Sequence, residues 1–282
     1  MKKKKWTQYV FVLPGFCFFA FAMLVPFIMG INIAFTDWNG VTTEYNYSGL
    51  QNFANIFMDA RIRKPFINTL EFALIGTVLS NAVSLYLAML INGKFKRLNS
   101  VARTVFFIPV CFSAVLTAFL WKFLYRELFS ELFGMRNLLG DPSLVIPAIV
   151  VIGLWNSAGI NMLIYLSGLK NISPELYEAA ETDGANSFQK FTRITVPLLM
   201  PAFSVCVTLT LTSWLKEFAT TLSATSGGPG GASRTISIYV YENLYKYFNA
   251  GYGQAVSLLF SVCLIVIGLF VSSFFRKREV EL

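Results

Sequence analysis

Histidine is absent from the 282 residues. That removes the side chain that most often serves as a base near neutral pH, and the commonest nitrogen ligand of zinc. Charge is scarce too: only 13% of residues are Asp, Glu, Lys or Arg, against roughly 25% in soluble domains. The four cysteines, Cys17, Cys111, Cys206 and Cys263, stand singly inside apolar runs. With no CxxC spacing they read as small apolar residues, not as disulfide or metal partners. No G-x-x-x-x-G-K-[ST], G-x-S-x-G or H-E-x-x-H occurs, so an ATP-binding loop, a serine-nucleophile elbow and a zinc protease helix are all missing. The glycine-rich "SGGPGGAS" from Ser226 lacks the lysine that would reach a phosphate.

What fills the chain is oil. Hydrophobic residues make up 55% and aromatic residues 16% of it, with a mean hydropathy of +0.59. This composition predicts an all-α polytopic membrane protein. Six segments reach the roughly 20 apolar residues that a bilayer crossing needs: Tyr9 to Phe35, Phe66 to Ile91, Thr104 to Tyr125, Leu144 to Leu169, Val196 to Leu222 and Ala255 to Phe275. The basic start "MKKKKW" imitates a signal peptide, but its apolar run is too long and no small-x-small cleavage site follows, so a retained first helix is expected. Pro109 and Pro147 inside apolar runs are expected to kink their helices. The net charge of +8 is dispersed beside apolar segments, which suits an anionic membrane surface and not nucleic acid. Lysine and arginine gather at Lys2 to Lys5, Lys94 to Arg103, Lys170 to Arg193 and Arg276 to Arg278. Alternate loops carry fewer: Arg61, Arg63 and Lys64, then Arg126 and Arg136, then Lys216, Arg234 and Lys246. The excess predicts that both termini and the loop between spans four and five are cytoplasmic.

That loop contains "EAAETDGANSFQKFTRITVPLLMP", from Glu178 to Pro201. Ser173 and Pro174 offer a helix start and Asp183-Gly184 a stop. Asn186 with Gln189 three residues on is a capping-box pattern, and Pro197 marks the turn into span five. A short helix, a glycine corner and another short helix are expected. Ala179 and Ala180 keep one surface slim, while Leu176, Phe188 and Phe191 supply apolar contacts. The same pattern fits two roles: docking into a cleft on a soluble partner, or lying at the headgroup boundary.

Glu178-Ala179-Ala180, then Gly184, then Ile194-Thr195-Val196-Pro197, resembles the EAA signature of permease subunits in bacterial binding-protein-dependent ATP-binding-cassette importers. Val196 stands in the usual leucine place. "NTLEFALIGTVLSNAVSLYLAMLIN" from Asn68, "ARTVFFIPV" from Ala102, "SGGPGGASRTISIYVYENLY" from Ser226 and "GYGQAVSLL" from Gly251 extend the likeness to the carbohydrate-uptake branch. The resemblance implies a type I (MetI-like) architecture, a single transmembrane permease domain over residues 1–282, and a coupling loop over 172–196. It also implies a bacterial cytoplasmic-membrane location and alternating access driven by ATP. Glu178, Ala179, Ala180, Asp183, Gly184, Ile194 and Pro197 would form the coupling element, with Glu178 facing basic groups of an ATPase. Implied partners are a second, related permease, two ATPase subunits and an external solute-binding protein. No cofactor would be held by this chain, ATP and Mg lying on the partner subunits.

Substrate contacts are then sought at membrane depth, where polar groups are costly and mark a pathway or an interhelix bond. Asn156, Asn161 and Tyr165 of span four, with Thr210, Trp214, Lys216 and Glu217 of span five, offer the aromatic faces, amides and hydroxyls that suit a sugar. Serine and threonine often bond their own helix, and Lys216 beside Glu217 fits an external end reached by snorkelling. An ion-coupled secondary transporter or channel shares the six spans. It would not need the charged loop, and no intramembrane carboxylate chain is evident for a proton relay.

Overall fold

The structure is a computed structural model that describes residues 3–93, 96–134 and 138–277. Lys2, Lys94, Arg136 and Arg278 of the charge pattern lie outside the described residues. The chain is helical. Among the described residues the β pairing is one isolated antiparallel bridge, Thr36 to Tyr47.

Four helices are long and apolar enough to cross a membrane: α1 (Tyr9–Ala34), α2 (Ala60–Ile91), α5 (Val145–Lys170) and α9 (Ala250–Arg276). Two bent pairs bring the number to six if each is one crossing. The first pair is α3 (Leu98–Cys111) with α4 (Ala114–Leu132), which turn through 103°. The second is α7 (Ser187–Leu198) with α8 (Met200–Leu215), at 70°. The short α6 (Pro174–Thr182) lies between α5 and α7.

The third expected span is therefore not one straight helix. Pro109 sits in a tight 3-10 turn, Ile108–Cys111, and Phe112 is extended. Ser113 then caps a new helix, its side chain accepting from the Leu116 N–H at 3.2 Å. The fifth span likewise differs: the bend falls at Leu199, and the helix stops at Leu215 instead of running to Leu222. Pro147 makes no kink. It is the third residue of α5, where the helix has no backbone partner for an N–H and proline is tolerated. Pro109 does stand at a break, because the run beyond it has its own cap.

The described residues form two compact units, within Met1–Ile62 with Tyr239–Val262 and within Arg63–Ile238 with Cys263–Leu282. In the first, the Asn52 amide donates to Ala34 O (3.0 Å) and Thr36 O (2.8 Å), fixing the chain as it leaves α1. Gly251 N–H donates to Trp38 O at 2.8 Å. A Cβ on Gly251 would collide with Thr36 O, so this glycine admits a close backbone approach.

The second unit packs α2 against α5 and α8 around two apolar clusters. One centres on Phe72, Ile149, Ile152 and Trp214, the other on Ala88, Met162, Tyr165 and Leu199. Helix α2 is inside-out by soluble standards. Asn68, Thr69, Thr77, Ser80, Asn81 and Ser84 are buried, while Leu74 is 68% and Tyr86 62% exposed. Water would not tolerate that arrangement, whereas hydrocarbon favours it, because there small and polar residues form the helix contacts and large apolar ones face the solvent. Helix α1 makes the same point: none of its most apolar window is buried by the rest of the chain.

Candidate functional site

The charged stretch folds as an exposed two-helix corner. Helix α6 ends in a left-handed glycine, Gly184, at φ +77°. Ala185 N–H donates to Ala180 O (2.9 Å) and Gly184 N–H to Glu181 O (3.1 Å), the paired bonds of a Schellman cap. The second start carries its capping box in full. Gln189 N–H donates to Asn186 Oδ1 at 2.9 Å, and Asn186 N–H to Gln189 Oε1 at 2.8 Å. Ser173 has the extended backbone of a cap, but its side chain accepts no capping bond; Pro174 and Glu175 supply that helix start instead.

Two contacts brace the corner. Lys190 Nζ lies 3.2 Å from Glu181 Oε1 across the glycine turn. Tyr177 OH and Thr195 Oγ1 are 2.9 Å apart, joining α6 to the turn before Pro197. Ile194 and Tyr177 pack on the cluster around Leu199, so the base of the corner is rooted in the core. Its tip is free: Glu178, Ala179 and Asp183 are exposed, Ala180 is half-buried, and Phe188 is 73% exposed. Pro197 lies just before the bend at Leu199.

The second site is a cavity of about 630 Å³ between α5 and the end of α8, inside the ~300–1,000 Å³ range of ligand pockets. Six of the seven expected pathway residues line it: Asn156, Asn161, Thr210, Trp214, Lys216 and Glu217. Tyr165 does not. It is fully buried and donates to Asn81 Oδ1 at 2.6 Å, while Asn81 Nδ2 donates to Thr210 Oγ1 at 2.8 Å. This three-residue network ties α2, α5 and α8 together, so the structure places Tyr165 in a buried tie and not on the cavity wall with the other six.

Several lining groups are already committed. Asn156 Nδ2 has Pro109 O (2.8 Å), Phe112 O (3.1 Å) and Thr117 Oγ1 (3.2 Å) within hydrogen-bond reach, so its two hydrogens are shared among acceptors at the α3–α4 break. Trp214 forms a wall. It is 5% exposed, lies parallel to Phe72 with ring centroids 6.4 Å apart, and donates from Nε1 to Ser80 Oγ at 3.2 Å. Gly153 makes room for it, since a Cβ there would come within 2.5 Å of the indole. Glu217 Oε1 accepts from Thr220 N–H (3.0 Å), Thr221 N–H (3.1 Å) and Thr221 Oγ1 (3.3 Å), capping the helix Ala219–Thr225. Asn161 is different: it is buried at the cavity wall, and its side-chain amide has no hydrogen bond among the described residues.

The buried tie of Asn81, Ser80 and Ser84 was not singled out from sequence. The signal was present, because polar and small residues in "NTLEFALIGTVLSNAVSLYLAMLIN" recur at three- and four-residue spacing. A larger hollow of about 1040 Å³ lies over the exposed loop 37–46. Its polar groups are spent locally, Asn39 Oδ1 accepting from Val41 and Thr42 N–H and Asp37 Oδ1 from Asn46 N–H.

Residues 80–279 match the model of the binding-protein-dependent transport system inner membrane component family. The chain is 31% identical over 280 residues to a probable starch degradation products transport system permease protein of Thermoanaerobacterium thermosulfurigenes, covering 97% of this chain and 95% of that one. It is 29% identical, over the full length of both, to a probable ABC transporter permease protein of Bacillus subtilis. Among solved structures it resembles a chain of a bacterial ABC transporter that imports the acidic polysaccharide alginate, with TM-score 0.84 and 25% identity over 98% of this chain and 96% of that one.

Proposed function

The chain belongs to the family of binding-protein-dependent transport system inner membrane components, and on that premise we propose that it is the permease subunit of an ATP-driven importer for a carbohydrate. The sugar would be handed over by an external binding protein and pass through the cavity beside Asn161 and Trp214. The observation that carries the reading is the corner at Gly184, rigidly capped at both helices, rooted at Tyr177 and Thr195, and bare at its tip. A soluble ATPase needs such a lever, and this chain has no nucleotide loop of its own.

In this reading the two bent pairs each count as one crossing, giving six spans with both termini in the cytoplasm. Glu178, Ala179, Ala180, Asp183 and Gly184 form the face that an ATPase grips, while Ile194 and Pro197 pass its movement to α8. A second, related permease completes the pathway. The carbohydrate assignment draws on the relatives that carry starch products and alginate. The membrane location draws on the inside-out pattern of α2 and the bare α1.

The test is uptake of labelled maltodextrins and uronate oligosaccharides by cells expressing the chain together with a second permease, an ATPase and a binding protein. Uptake should cease when ATP is depleted and persist when the ion gradients are collapsed. Uptake that survives ATP loss but fails with the gradient would replace the importer with a secondary transporter.

A further inference from the structure

We propose that Lys216 makes the cavity selective for a carbohydrate bearing an anionic group, so that a carboxylated or otherwise acidic sugar is taken in preference to a neutral one. The inference rests on the reading of this cavity as the sugar pathway, and it adds the charge of the cargo.

Two ionisable side chains line the cavity, Lys216 and Glu217, adjacent in sequence but in different situations. The Glu217 carboxylate is turned onto the start of the helix Ala219–Thr225, where it accepts from two backbone N–H groups and one hydroxyl. The positive end of those peptide dipoles partly offsets its charge. Its backbone is held as well, because Thr235 Oγ1 donates to Glu217 O at 2.9 Å. Lys216 closes α8 as its C-cap residue; it is exposed, and its ammonium has no ion-pair partner among the described residues. Of the two charged groups at the cavity, the Glu217 carboxylate is therefore engaged by three donors of its own and the Lys216 ammonium is left without a carboxylate at ion-pair distance among the described residues.

The remaining walls sharpen that field. Trp214, Ile160, Leu209 and Phe218 are apolar, and low-dielectric walls focus the potential of a single charge. Three of the wall hydroxyls give their protons to their own helices: Ser157 donates to Gly153 O (2.8 Å), Thr210 to Cys206 O (2.8 Å) and Thr212 to Thr208 O (2.7 Å). The oxygens of Ser157 and Thr212 are left as acceptors, suited to sugar hydroxyls, while Thr210 Oγ1 already accepts from Asn81 Nδ2; the ammonium of Lys216 is the charged donor suited to an acid group.

The experiment uses the full chain in isolated membranes, with Cys17, Cys111 and Cys263 changed to serine and the buried Cys206 retained. Ser213, which is exposed and lines the cavity, is replaced by cysteine. Its reaction rate is measured with a sulfonate-bearing and a trimethylammonium-bearing methanethiosulfonate. The anionic-to-cationic rate ratio should exceed that of a free thiol in solution, fall about fivefold in Lys216→Gln and be kept in Lys216→Arg. Trigalacturonate should protect the cysteine at a concentration about tenfold below that of maltotriose.

A ratio unchanged by Lys216→Gln overturns the electrostatic role, and the carbohydrate reading stands if either sugar protects. Maltotriose protecting as well as trigalacturonate overturns the selectivity alone. Protection by neither sugar overturns both this inference and the pathway on which it rests.

Discussion

Replacing Gly184 with valine isolates backbone geometry from every other property of the corner. Gly184 stands at φ +77°, and nothing lies within 4 Å of the position a Cβ would take. Added bulk meets open space, so the whole penalty is conformational. An L-residue in the left-handed region costs roughly 1–2 kcal/mol, and a β-branched one lies at or above the top of that range. At about 2 kcal/mol the population of the native corner relative to an unwound one falls on the order of thirtyfold. The Schellman bonds from Ala185 and Gly184 and the Lys190–Glu181 bridge would be lost with it. The six apolar segments are untouched, so membrane insertion should match the parent. The assay is co-purification of the ATPase and ATP-driven uptake from the same membranes. Gly184→Asn is the decisive companion, since asparagine resembles valine in bulk yet tolerates positive φ. Asparagine should retain most of the coupling that valine loses. Equal loss in both variants would refute the backbone argument, and parental behaviour in both would refute the role of the corner.

Other outcomes follow from the same structure. Tyr165→Phe leaves Asn81 Oδ1 without its donor; it should lower thermal stability by about 0.5–2 kcal/mol and leave the apparent substrate KM unchanged, whereas Asn161→Ala should raise that KM several-fold with stability retained. Trp214→Ala empties a packed wall and should cost about 3–5 kcal/mol, while Trp214→Phe, which keeps the stack on Phe72, should recover most of the folded yield measured by size-exclusion chromatography. The Arg61 guanidinium, together with the Tyr239 hydroxyl, the Arg61 backbone N–H and the Tyr252 hydroxyl, holds the Asp59 carboxyl well below the usual carboxylate range despite partial burial. A depressed folded-state value contributes stability above the ordinary carboxylate pKa near 3.8 that is lost as pH falls through the lower folded value. The thermal midpoint should therefore show no Asp59-dependent change from pH 7 to about 5 and decline below about pH 4, and Asp59→Asn should remove that component of the decline.

The corner was legible in the sequence because its signals are local. A glycine after a helix and an Asn-x-x-Gln pair act within a turn of themselves, and both took the expected geometry at Gly184 and Asn186. The third and fifth spans were harder, because an apolar run reads the same whether straight or bent through 103°. Polar residues at membrane depth were found, but their duties were not. Asn156 looks identical in sequence to Asn161 and both line the cavity, yet the amide of one is spent on the break in a neighbouring helix and that of the other is not. Which of two asparagines is already satisfied depends on a partner 47 residues away, and single-sequence spacing does not carry that distance. Glu217 makes the same point: a charge at a helix end reads as snorkelling until its acceptor role toward Thr220 and Thr221 is seen.

The account stands on the corner being cytoplasmic and gripped by an ATPase. A single cysteine replacing Phe188, whose side chain is 73% exposed at the tip, tests both parts. With a membrane-impermeant maleimide, the account predicts no labelling in intact cells, rapid labelling in inverted vesicles stripped of the ATPase, and suppression of that labelling when the ATPase is restored. Labelling from outside intact cells, or labelling in inverted vesicles that the ATPase leaves unchanged, would contradict it.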